Sequence, residues 1–118
     1  MSILAELEVM PGVICAGEYS YRGDRFTYKG QMDDEQARQA SIMCRATTMS
    51  VFMQTGMLDT FCKDSGWAPN KGWVVKGPQF TVCVIANVFC FINEKEGSLN
   101  HILGHMRESL SDVSNELV

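Results

Sequence analysis

Apolar residues between positions 33 and 62 recur with the period of an α-helix, and they form two stripes on roughly opposite sides. Asp33 offers an N-cap oxygen and Gln36 follows three residues later, which predicts a capping box at the start of the helix. The first stripe contains small or β-branched residues: Ala37, Ala40, Cys44, Thr48, Val51, Leu58 and Cys62. The second stripe is rich in methionine: Ile42, Ala46, Met49, Met53 and Met57, with Met43 and Phe61 beside it. A surface helix needs only one apolar stripe, so this helix is expected to be covered from both sides.

The second apolar stripe predicts a homodimer. The sheet of the same chain can cover one stripe, whereas the other stripe then needs a second subunit. The interface residues that we expect are Ile42, Ala46, Met49, Met53, Gly56 and Met57. The alternative is that the terminal helices cover this stripe within one subunit. A narrow row between the stripes contains Arg38, Arg45 and Phe52, which are candidate contacts for a further partner.

The rest of the chain consists of short elements separated by glycine, proline and polar turn residues. Five strands are predicted at Val13–Tyr19, Tyr21–Lys29, Trp73–Lys76, Phe80–Ile85 and Val88–Ile92. Helices capped by Ser2 and Ser98 are predicted to end at Glu8 and near Leu117. Both faces of the last hairpin are apolar, so its sheet must be covered on both sides. The predicted fold is α+β, in the order α-β-β-α-β-β-β-α, with a five-stranded antiparallel sheet, the long helix on one face and the terminal helices on the other.

Composition limits the classes of function. A chain of 118 residues with 46% hydrophobic and 20% charged residues indicates one folded domain over residues 1–118. The net charge of −4 gives no electrostatic reason to bind nucleic acid or an anionic membrane. The first ten residues contain Glu6 and Glu8 and lack the pattern of a signal peptide. We therefore expect a cytoplasmic protein that contacts neither nucleic acid nor membrane.

Catalytic and metal-binding patterns were weighed against plain structural roles. No GxxxxGK[ST] loop occurs, and no local signature marks a nucleophile with its base. His101 and His105 are spaced so that they could share one metal ion, but a site needs further ligands. We expect no catalytic residues, no cofactor and no bound metal, and so a protein that is not an enzyme.

The five cysteines are an odd number without a CxxC pair, which favours reduced core thiols. A turn at Ala86 and Asn87 would place Cys83 opposite Cys90 on neighbouring strands, within reach of a disulfide. These two residues are candidate reactive thiols, and they support an alternative function, that of a thiol-dependent accessory protein in redox or sulfur metabolism. Small apolar core residues are the interpretation that we favour.

The order of elements resembles the roadblock family, the dynein light-chain class within the profilin-like folds. The segment Met10-Pro11-Gly12-Val13 is similar to the family's entry into the first strand, and the turn at Gly23-Asp24 and the acidic start of the long helix also fit. The segment from Trp67 to Trp73 and the cysteine-bearing hairpin are unlike typical members, which suggests a divergent, bacterial-type branch. The resemblance implies a dimer formed through the long helix and an edge strand. It also implies a scaffold or regulator of small Ras-like GTPases.

Overall fold

The computed structural model describes residues 2–20, 22–23, 25–61 and 72–110. The elements are α1 (Ile3–Glu8), β1 (Val13–Tyr19), β2 (Phe26–Gly30), α2 (Asp34–Phe61), β3 (Gly72–Lys76), β4 (Thr81–Ile85), β5 (Val88–Ile92) and α3 (Leu99–Ser109). This order confirms the predicted α+β fold. The predicted continuation of the last helix to Leu117 lies outside the described residues.

All five strands form one antiparallel sheet in the order β2-β1-β5-β4-β3. The β4–β5 hairpin turns at Ala86 and Asn87, and its register pairs Cys83 with Cys90, as the sequence predicts. Ala86 adopts a positive φ of 56°, which a two-residue hairpin turn requires. Pairing of β1 with β5 joins the two hairpins, with an irregularity between Val13 and Cys15. β2 and β3 are therefore the edge strands.

Helices cover both faces of the sheet, as the apolar faces of β4 and β5 predict. On one face, residues of α1 and α3 form a buried cluster with residues of the sheet: Leu4, Leu7, Ala16, Cys83, Val88, Cys90, Ile92, Ile102 and Met106. On the other face, residues of α2 form a second cluster with the sheet: Tyr19, Ala40, Cys44, Val82, Val84 and Phe89. The ring of Phe89 occupies the space above Gly17, where a built Cβ would lie 2.1 Å from the ring. The sheet is thus the middle layer of three.

The long helix α2 begins at the capping box that the sequence predicts. The backbone N–H of Gln36 donates to the Asp33 carboxylate (2.8 Å), and the Asp33 N–H donates to the Gln36 side chain (3.0 Å). At 28 residues α2 is about 42 Å long, roughly twice the length of the strands that it covers. Residues of the first stripe are buried as far as Thr48, and Thr55 is buried too, but Leu58 is exposed. The C-terminal end of α2 therefore extends past the packed sheet.

Candidate functional site

The outer face of α2 carries an exposed apolar surface, which we call the outer stripe: Ile42, Ala46, Met49, Met53, Gly56 and Met57. These six residues are the ones predicted for the dimer interface, and all of them are exposed in the single chain. Met53 is 70% exposed and Met57 57%, while Phe61 at the helix end is 78% exposed. Large apolar side chains that are exposed close together are typical of surfaces that contact another molecule.

Hydrogen bonds on the inner side of α2 fix which face of the helix points outwards. The Thr48 hydroxyl accepts a bond from the Trp73 indole N–H (2.8 Å) and forms another with the Tyr19 hydroxyl (2.8 Å). Tyr19 lies on β1 and Trp73 on β3, so one helix residue is tied to two strands of the sheet. These bonds are buried or partly buried, and they oppose rotation of α2 about its axis. The outer stripe is consequently held towards solvent.

The candidate partner contacts occupy one edge of α2 in different environments. Arg38 is exposed and donates two hydrogen bonds to the Glu35 carboxylate, which lowers the pKa of Glu35. The Arg45 guanidinium lies against Gly23 in the β1–β2 turn. Phe52 is half-buried and packs on the cluster around Tyr19 and Phe89. Of the three residues, Arg38 presents the most accessible side chain along this edge.

The edge strand β3 adds exposed apolar residues that the sequence analysis did not single out. Val74 and Val75 are both exposed, although side chains of consecutive strand residues point to opposite faces of the sheet. Among the described strands, β3 pairs only with β4, so it is an edge strand of the sheet. The signal in the sequence is the Val-Val pair in a short strand, but the strand order, which makes β3 an edge, is not readable from it.

The candidate reactive thiols are buried and unoxidised. Cys83 and Cys90 are directly opposite each other, fully buried, and free. The Cys83 thiol donates to the Met106 sulfur at 3.8 Å. A hydrogen bond with Cys83, together with burial, raises the pKa of Cys90 far above its usual range. Because the thiolate is the reactive form, this environment does not activate the Cys90 sulfur at neutral pH.

The two histidines are brought to the α3 surface and do not form a cluster with other ligands. His101 is exposed, and the His105 Nε2 lies 3.3 Å from a carboxylate oxygen of Glu6 on α1. Within the described ranges, no group of three His, Cys, Asp or Glu side chains could hold a metal ion. Across the same part of the chain, the helices are too short or too polar to span a membrane.

Comparison with known proteins places this geometry among roadblock domains. A crystal structure of a Roadblock/LC7 domain from Streptomyces avermitilis superposes with a TM-score of 0.61. The match covers 91% of this chain and 89% of that one, at 13% sequence identity, and so shows a shared fold. Residues 3–108 match the profile of a family described as an uncharacterized conserved protein, DUF2173. None of the curated proteins is detectably similar in sequence. The predicted resemblance to the roadblock family is thereby confirmed at the level of the fold.

Proposed function

The chain belongs to the DUF2173 family, and from its Roadblock/LC7 fold we propose that it is a non-enzymatic scaffold or regulatory module that works as a homodimer. The observation that carries this proposal is the exposed outer stripe of α2. Burying one large apolar side chain contributes about 1.5–3 kcal/mol, so covering four or five of them on each subunit is a substantial driving force. A second copy of the chain supplies an identical stripe at equal concentration.

The spacing of the outer stripe supports an antiparallel pairing of the two helices. Ile42 and Met57 are equally far from the point between Met49 and Ser50, and so are Ala46 and Met53. A two-fold axis at that point places Ile42 against Met57 of the other copy, and Ala46 against Met53. In a two-fold interface each contact occurs twice, so a small residue opposite a large one fills both halves equally. Flexible methionine side chains suit the irregular gap between two helices.

The glycine at position 56 of α2 supports the same interface. Gly56 is exposed, and a Cβ at this position would meet no atom of the described residues within 4 Å. Within this part of the chain, no contact therefore requires glycine, which costs about 1 kcal/mol relative to alanine inside a helix. Close approach of a second helix backbone would explain why this position is a glycine. The exposed Val74 and Val75 on the edge strand β3 can extend the contact beyond the helix pair.

We place the dimer in the cytoplasm, with residues 1–118 as a single domain and with a small Ras-like GTPase as its partner. The four cysteines among the described residues are free thiols, which agrees with a reducing compartment. The GTPase partner is supported by the roadblock fold, and the exposed Arg38 offers a cation on the edge of α2 beside the outer stripe. Retention of a Ras-like GTPase by immobilised protein, lost in an Arg38→Glu variant, is the expected outcome.

Substitution of Met53 by glutamate tests the dimer. In the pairing above, Met53→Glu buries an unpaired charge on each side of the axis, which costs several kcal/mol per charge. The dimer should weaken by at least about 100-fold. Val9→Glu is the matched control, because Val9 is 76% exposed on the far side of the sheet, at the end of α1. Light scattering at micromolar protein should find the Met53→Glu chain monomeric and the Val9→Glu chain dimeric. Equal masses for the two variants would remove the outer stripe from the interface.

A further inference from the structure

A cleft of about 540 Å³ opens between the first turns of α2 and the sheet. Its floor is formed by β1, β4 and β5, and one wall is the segment that leads into α2. The lining is mostly apolar: Ile14, Cys15, Met32, Ala40, Met43, Phe80, Val82 and Phe91, with the amide side chains of Gln31, Gln36 and Gln39. Small-molecule sites typically enclose about 300–1,000 Å³, with apolar walls and a few polar groups that fix orientation. The cleft has this size and composition.

One wall of the cleft presents an aromatic surface. The rings of Phe80 and Phe91 stack with centroids 5.5 Å apart and planes inclined by 15°. Phe80 is 43% exposed, so part of its ring remains available to a planar group entering the cleft. Stacking on a preformed aromatic pair selects flat, unsaturated rings over branched aliphatic groups.

The polar groups of the cleft are amides and carry no charge. None of the described residues that line it is ionised at neutral pH, since burial raises the pKa of the Cys15 thiol to about 11. The Gln36 oxygen accepts from the Asp33 N–H and the Gln39 nitrogen donates to the Glu35 carboxylate, which leaves the Gln36 nitrogen as a donor and the Gln39 oxygen as an acceptor. Together with the Gln31 amide, these groups complement an amide or a similar neutral group on the ligand. A charged ligand would lose its hydration without gaining a counter-charge.

The cleft borders the outer stripe along one edge of α2. At 100° per residue, Gln36 and Met43 lie on the edge of α2 opposite Arg45, and Gln39 lies closer to the outer stripe. None of the six outer-stripe residues lines the cleft, and its floor and Phe80 come from other elements. In the antiparallel pairing Met43 lies opposite Gly56 of the other copy, so the proposed dimer adjoins the α2 rim of the cleft. The cleft is present in the single chain, and the inference does not depend on the dimer.

We propose that this cleft is a binding site for a small, neutral, aromatic ligand that carries an amide or equivalent hydrogen-bonding group. The ring lies against Phe80 over the apolar floor, and the polar group reaches the glutamine amides. This activity is separate from scaffolding, and it gives the domain a means of responding to a metabolite of that chemical class.

The test uses 2-naphthamide as the probe. It is compared with 2-naphthoate, which has nearly the same shape but carries a negative charge. In two-dimensional ¹H–¹⁵N NMR spectra of the full chain, 2-naphthamide should give saturable shifts at the side-chain amides of Gln31, Gln36 and Gln39. The same titration with 2-naphthoate should give at least about 10-fold weaker binding, because the cleft supplies no cation.

Phe80→Ala should weaken 2-naphthamide binding by about 2- to 10-fold through loss of stacking. Phe61→Ala, a matched change at an exposed ring outside the cleft, should leave the affinity unchanged.

Several results would overturn the proposal. They are equal effects of Phe80→Ala and Phe61→Ala, equal binding of the two probes, or shifts confined to the methionines of the outer stripe. Shifts of the glutamine amides on simple dilution would show that a second copy of the chain covers the cleft, which also excludes it. If Phe80→Ala does not give a dispersed spectrum, Gln39→Ala replaces it, with a loss of 2-naphthamide affinity as the expected result and no change as the contrary one.

Discussion

Cys44 lies between α2 and the sheet, where burial raises the pKa of its thiol to about 12. Cys15 has a raised pKa of about 11 for the same reason. A neutral thiol in such a place acts as a small apolar group, and it fills space that a larger side chain could not enter. These residues stabilise the fold in their protonated form. The stability of the fold is therefore expected to depend on pH in the alkaline range.

We predict that Cys44 makes the free energy of unfolding fall as the pH rises above about 9. The unfolded thiol loses its proton near pH 9, whereas the folded one keeps it until about pH 12. Over this window the folded state binds more protons, so its stability decreases with pH. Between pH 7.5 and pH 10, the stability difference between wild type and Cys44→Ala should shrink by about 1 kcal/mol. Urea unfolding at both pH values measures it, with Val51→Ala as a control whose difference should stay constant.

A second prediction concerns the reactivity of Cys83 and Cys90. Both are fully buried, and the pKa of Cys90 is raised, so iodoacetamide at pH 8 should leave them unmodified in the native protein. In 6 M urea, mass spectrometry should find all five cysteines of the chain alkylated. Rapid native labelling of Cys83 or Cys90, or a disulfide between them, would instead favour the thiol-dependent alternative function.

At the scale of the element, α2 has an inner face that is hydrogen-bonded to the sheet through Thr48 and an outer face that is exposed. The sequence predicts its capping box, its two stripes and its length to within one residue at each end. It does not predict where burial of the first stripe ends. Leu58 belongs to that stripe by periodicity but is exposed, because the helix extends beyond the sheet. Periodicity reports which residues share a face, whereas burial depends on where the neighbouring elements end.

Two helix glycines provide a matched test of the interface. Gly56 in α2 and Gly104 in α3 are both exposed, and a Cβ at either position meets no atom of the residues that the structure describes. Alanine should therefore favour each helix by about 1 kcal/mol within the subunit. Gly104→Ala should raise the thermal midpoint and leave the dimer unchanged. Gly56→Ala should weaken dimerisation, measured by sedimentation, because its methyl group enters the contact between two helices. Equal dissociation constants for both variants would argue against close approach at Gly56.

At the scale of the whole molecule, local patterns and long-range placement were predictable to different degrees. The β4–β5 hairpin and its register follow from the Ala86–Asn87 turn, and the three-layer arrangement follows from the apolar residues on both faces of that hairpin. The pairing of β1 with β5 joins segments about 75 residues apart, and no local signal specifies it. The same is true of the cleft beside α2, whose lining comes from four separate segments. The outer stripe was predictable because all its residues lie on one helix.

The antiparallel arrangement of the outer stripes is the most specific claim about the assembled molecule. If Ala46 faces Met53 of the other copy, Ala46→Lys should restore association to the Met53→Glu chain through two Lys–Glu pairs. A parallel arrangement would instead place like charges together and give no recovery. Salt should weaken the restored dimer more than the wild-type dimer, since only the restored interface contains these ion pairs.

The molar mass of the wild-type chain in solution tests the central claim most directly. Light scattering during gel filtration at micromolar concentration should give twice the 13.2 kDa of one chain, because two outer stripes cover each other. The double variant Ala46→Lys/Met53→Glu, run beside it, should recover the dimer that Met53→Glu alone loses. A wild-type mass of 13.2 kDa under these conditions would contradict the dimer and the function that we propose from it.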